Sequence, residues 1–141
     1  MKAKSTQKGF TMVELIVAMV ILTILASVVY PTYTAFSMRS TRAVAITELM
    51  RASQLEERFF VDNRDYGTLS EIGYDDDTVG VDAAGNLVAQ DAGVYNLTVS
   101  PAPSVNGFTV QATATGAQAG DDGCTTLTTN NLGVQAPADC W

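Results

Sequence analysis

The chain has no histidine, and that absence removes the commonest general base and the commonest metal ligand of protein sites. Lysine is scarce too: Lys2, Lys4 and Lys8 are the only three, all within the first nine residues. Beyond residue 9 the chain carries five arginines against fifteen Asp and Glu, a side-chain balance of −10 where the whole chain has −7. A domain this acidic is a poor ligand for phosphate backbones, which need positive charge to displace their counterions. Nucleic acid is therefore not an expected partner. There is also no nucleophile elbow, no phosphate-binding loop and no metal-spaced cluster. Nothing in the residues points to an enzyme, a cofactor or a metal.

Charge is scarcest across residues 10–30, where 21 residues hold one charged side chain, Glu14. An apolar run of that length is a membrane-crossing helix. The lysines ahead of it keep the N-terminus cytoplasmic, so the remainder is expected to cross into the periplasm or beyond. This divides the chain into a leader at 1–9, a membrane or filament-core helix at 10–31 and a globular domain at 32–141. An ordinary secretory signal is cut after its apolar region. Here Tyr30-Pro31-Thr32-Tyr33-Thr34 offers no such site, whereas Lys8-Gly9-Phe10 precedes the run, and Gly9 gives a protease an unobstructed, permissive backbone.

Glu14 is costly where it stands, by about 2.5 kcal/mol or more at the bilayer centre and less near the interface. One reading is that it snorkels to the interface. The other is that cutting after Gly9 creates a partner, the new α-ammonium of Phe10, on the same helix or on a staggered neighbour. Pro31 lacks the N–H that would bond Ser27, and β-branched residues surround it, so the helix is expected to be soft there.

Lys8-Gly9-Phe10-Thr11-Met12-Val13-Glu14-Leu15 resembles the type III signal of type IV prepilins, K-G-F-T-x-x-E-L followed by about twenty apolar residues. The resemblance implies cleavage between Gly9 and Phe10 by a membrane prepilin peptidase, N-methylation of Phe10, and contact of Glu14 with the Phe10 amine of an adjacent subunit. It further implies the pilus assembly machinery of the inner membrane as a partner, and an extracellular filament as the destination.

Downstream, Ala45, Ile46, Leu49, Ala52, Ser53, Phe59 and Phe60 recur at helical spacing on one side, with Thr47, Arg51, Gln54 and Arg58 opposite. No glycine or proline interrupts residues 32–66, and residues 62–67 supply a stop. One helix from residue 10 to about 63 would be about 80 Å long, more than one small domain can cover. Arg42 and Glu56 fall within the apolar side, either as contacts between subunits or as solvated edges of the stripe.

Residues 66–93, with Asp75-Asp76-Asp77, show no sustained periodicity and read as a surface connection. The acidic triplet suggests either calcium or, more simply, a solvated loop, since its spacing does not fit a calcium loop. Period-two alternation then marks strands near 95–100, 108–115, 125–129 and 134–136. Cys124 and Cys140 lie downstream of a membrane segment, in a chain expected to be exported, and read as one disulfide. On the chain-entropy model it contributes about 3 kcal/mol.

Residues 51–66 and 113–124, with the terminal Cys140-Trp141, resemble PilE-like minor pilins, a group that includes DNA-uptake receptors of naturally competent bacteria. The implied fold is α+β, the pilin α/β roll: a long N-terminal helix on a three- to four-stranded antiparallel sheet, with the Cys124 to Cys140 segment as its C-terminal D-region. The expected function is that of a type IV pilus subunit, a minor pilin, whose partners are other pilins. The alternatives are a major pilin, a DNA-uptake receptor, and a type II secretion pseudopilin, against which the cysteines argue.

Overall fold

The computed structural model describes residues 10–100 and 103–141; the expected leader, Gly9 included, lies outside them. The chain divides into two units, Met1–Ser37 and Met38–Trp141. One helix, α1 (Met12–Asn63), contributes to both. In the first unit α1 is long and apolar enough to cross a membrane, and its most apolar window buries nothing inside the chain.

In the second unit α1 packs on one antiparallel sheet. The strands are β1 (Thr78–Val81), β2 (Leu87–Val88), β3 (Tyr95–Val99), β4 (Thr109–Ala114), β5 (Thr126–Asn130) and β6 (Gln135–Ala136). Their order is β2-β1-β3-β4-β5-β6. Register places Val79 opposite Leu97, Leu97 opposite Ala112 and Ala112 opposite Leu127, and all four are buried. The alternate row, Thr98, Gln111 and Thr128, lies on the other face. This is the alternation expected from Tyr95, Leu97, Val110 and Ala112, so the sheet has one apolar face turned to α1.

The sheet has six strands rather than three or four. The hairpin of β1 and β2 falls in residues 66–93, which read as a bare connection. Thr-Val-Gly-Val is too short to display a period, and β2 has only two residues. The hairpin is held by pairing with β3 and by Asp82, whose Oδ1 accepts the N–H groups of Ala84 and Asn86 at 2.8 Å each. The Asn86 side chain, followed by the Asn86 backbone, lowers the pKa of the Asp82 carboxyl.

The face that α1 buries is only partly the expected one. Ala45, Leu49 and Ala52 are buried, but the other two buried positions are Glu48 and Glu56. Ile46, Ser53, Phe59 and Phe60 flank them half-buried. The helix ends where Arg64 turns left-handed (φ 60°) and donates its N–H to the Phe60 carbonyl at 2.8 Å.

Candidate assembly site

At its first turn α1 is closed by a reciprocal pair. Thr11 Oγ1 accepts the Glu14 N–H at 3.2 Å, and Glu14 Oε2 accepts the Thr11 N–H at 3.5 Å. The Leu15 N–H bonds the Thr11 carbonyl at 3.2 Å, which makes Thr11 the cap residue. Thr-x-x-Glu is a capping box, and it satisfies donors that a helix start leaves unpaired. That signal was present in Thr11-Met12-Val13-Glu14, yet the charge reading of Glu14 passed over it. Within one chain, then, the Glu14 carboxylate meets Thr11. Phe10 beside it is 87% exposed.

Further along, Pro31 sits inside the helix. Around it three hydroxyls turn back onto main-chain carbonyls: Ser27 to Ile24 (2.7 Å), Thr32 to Val28 (3.1 Å) and Thr34 to Pro31 (3.0 Å). Such bonds keep polar side chains satisfied without water, as a helix in lipid or in a helical bundle requires. An open apolar groove of about 380 Å³ runs along Val28, Val29, Thr32, Tyr33 and Phe36.

The globular unit uses its remaining charge differently. Arg42 is bidentate to Asp121, with Nε to Oδ2 at 2.9 Å and Nη2 to Oδ1 at 2.7 Å. Gln118 joins the same group, donating to Asp121 Oδ2 and Tyr95 Oη at 3.1 Å each and to the Met38 carbonyl at 3.2 Å. This network ties α1 to β3 and to the turn before Cys124. Burial, the first cause, pushes the Tyr95 hydroxyl pKa up. Glu48 accepts from Tyr74 Oη at 2.8 Å and from Arg51 at 3.1 Å.

Glu56 is fully buried; its Oε2 accepts the Gly67 N–H at 3.0 Å, and Oε1 has no partner. Burial raises its pKa from 4.5 to about 7; the Gly67 bond opposes this, while the charges of Glu71 and Glu57 add to it. Both readings of Arg42 and Glu56, as subunit contacts or as solvated edges, are thus corrected: each serves the interior of its own domain. Apolar periodicity does not reveal such roles, because a buried charge shows itself only through its partner.

Cys124 and Cys140 are joined in a disulfide, with Cα atoms 5.7 Å apart and both residues buried. Of the acidic triplet, Asp77 turns to Ser70, whose N–H (3.1 Å) and hydroxyl (2.6 Å) it accepts. The Ser70 hydroxyl is the main cause of the lowered Asp77 pKa. Among the described residues no group of three or more His, Cys, Asp and Glu is placed to hold a metal ion.

Residues 4–30 match the family described as the prokaryotic N-terminal methylation motif. Residues 31–128 match the family described as type IV minor pilin ComP, DNA uptake sequence receptor. No curated protein matches the chain.

Proposed function

This chain belongs to the family of the type IV minor pilin ComP, and from that premise we propose that Phe10 and Glu14 form its assembly site. A type IV minor pilin is an inner-membrane precursor that is processed by prepilin peptidase and then assembles with other pilins at the pilus surface. The proposal concerns how this chain does so.

Cleavage after Gly9 would leave the Phe10 amine as a positive charge at the tip of an apolar helix. Glu14, one turn away, would leave its capping bond to Thr11 and pair with the Phe10 amine of a neighbouring subunit. The exchange replaces a 3.5 Å bond at an exposed helix end with a charge-assisted one, and it supplies the counter-charge that a carboxylate in an apolar bundle needs. The single observation that carries this reading is that the first part of the helix, Met12 to Phe36, is largely apolar and exposed within its own chain, with one carboxylate at its start.

Two variants test it. Gly9→Leu should leave an uncleaved precursor outside filaments, and Glu14→Ala should be cleaved but should fail to enter them. Mass spectrometry of sheared filaments reads both results, together with methylation of Phe10. Normal incorporation of Glu14→Ala would remove the pairing role.

A second reading, a receptor for duplex DNA, is favoured by the DNA uptake sequence receptor family matched over residues 31–128. Charge opposes it. Arg42 and Arg51 are engaged with Asp121 and Glu48, which leaves Arg39, Arg58 and Arg64, all exposed, as the arginines outside these ion pairs among the described residues. The discriminating measurement is anisotropy of a labelled duplex with the mature protein in detergent, at several salt concentrations. A receptor should bind with strong salt dependence and lose binding in Arg58→Glu and Arg64→Glu. Salt-insensitive or absent binding leaves assembly as the function.

A further inference from the structure

The sheet is stepped along one side of β1. With β3 it pairs through all four of its residues, from Thr78 opposite Thr98 to Val81 opposite Tyr95. With β2 it pairs only through Gly80 opposite Val88 and Val81 opposite Leu87. After Val88 the chain turns away, the Ala92 N–H closing on the Ala89 carbonyl at 3.0 Å. Among the described residues, therefore, no strand lies beside the outer side of Thr78 and Val79.

The main chain there faces the gap. Asp82 gives its N–H to the Asn86 carbonyl at 3.0 Å, across the side of β1 that β2 occupies. Alternation along an antiparallel strand then turns Gly80 and Thr78 to that same side. A groove of about 360 Å³ occupies the step. Its walls are Asp75 and Asp76 on one hand and Leu87, Val88, Ala89 and Gln90 on the other. Asp75 and Asp76 are exposed, so their charge is presented at the groove mouth.

We infer that this step binds an extended polypeptide segment carrying Lys or Arg, which adds as a short strand along Thr78 and Val79 with its cations against Asp75 and Asp76. An open edge supplies main-chain affinity, and the flanking side chains supply selectivity. Three occupants compete for such a site, and charge decides among them. Nucleic acid is repelled by the two carboxylates. A second copy of this chain has no suitable segment, because beyond residue 9 it has no lysine and its arginines lie on α1 or, for Arg64, immediately after it. What remains is a basic extended segment of a different protein. This inference is independent of Phe10 and Glu14, and it holds whether or not the chain binds DNA.

The test uses the mature protein in detergent and a fluorescein-labelled peptide of alternating lysine and valine. Fluorescence anisotropy should show saturable binding. The same peptide N-methylated at alternate backbone positions should bind at least about tenfold more weakly, since it cannot pair with an edge. Asp75→Asn with Asp76→Asn should weaken binding about fivefold and flatten its salt dependence, with thermal unfolding unchanged as the check on folding. The inference is overturned if the lysine peptide does not bind, if the methylated peptide binds equally well, or if the double variant binds like the wild type. Equal binding of a glutamate-for-lysine peptide would overturn it as well.

Discussion

Residues 12–36 and residues 45–56 are two stretches of the same helix, and they divide apolar character and burial in opposite ways. The first is almost wholly apolar, and Leu22 and Ile24 are still more than 60% exposed. The second is mixed, yet it buries five residues, two of them glutamates. Hydropathy alone would place the wrong half inside. The first stretch is written for surroundings that other molecules provide, such as the lipid of a membrane. The second is written for one particular sheet, and it tolerates carboxylates because Tyr74, Arg51 and Gly67 meet them.

That contrast can be broken most forcefully at Leu49. Leu49→Ala should destabilise the globular unit by about 2–5 kcal/mol in denaturant titration. Leu22→Ala should shift the same curve by less than about 0.5 kcal/mol while lowering incorporation into filaments. Comparable losses of stability at the two leucines would end the distinction. Next comes Asp121→Ala, which leaves Arg42 without its bidentate partner and should cost roughly 3 kcal/mol. Asp122→Ala, one residue on and exposed, is the matched control.

Glu56 sharpens the comparison through pH. Its pKa in the folded state, about 7, lies above the ordinary 4.5, because burial disfavours the anion. Stability is therefore full below pH 4.5 and is lost as pH rises through 7, by roughly 3 kcal/mol in all. Glu56→Gln should flatten that slope, as followed by urea unfolding across the range; an unchanged slope would place the titration elsewhere. A similarly small effect on folding, under about 0.5 kcal/mol in the globular unit, is expected for Glu14→Ala, although that variant should fail to enter filaments.

Much of this architecture was legible in the residues. Tyr95, Leu97, Val110 and Ala112 alternated plainly enough to mark the two central strands and the face they bury. Cys124 and Cys140 were readable as a bridge from their compartment alone. The hairpin of β1 and β2 was not readable, because a strand of two residues has no period and exists only through its neighbour. Nor were the roles of Arg42 and Glu56, since Asp121 lies 79 residues from the one and Gly67 lies beyond the end of the helix that carries the other. At the proposed assembly site Glu14 stood out by its cost, while its bond to Thr11 is written in the Thr-x-x-Glu spacing of the same four residues.

The ion pair of Arg42 with Asp121 also sets an order of events in time. A chain that crosses from the end of its membrane helix onward presents Arg42 long before Asp121, and closing a loop of that length is slow compared with forming a helix or a hairpin. Until then Arg42 stays solvated, and the helix is free to find its sheet without commitment. Docking becomes final only as the last 21 residues arrive, Asp121 first and the Cys124 to Cys140 bridge directly behind it. A chain truncated before Asp121 would carry its anchor and its central strands but lack the clasp that Asp121 and the Cys124 to Cys140 bridge provide.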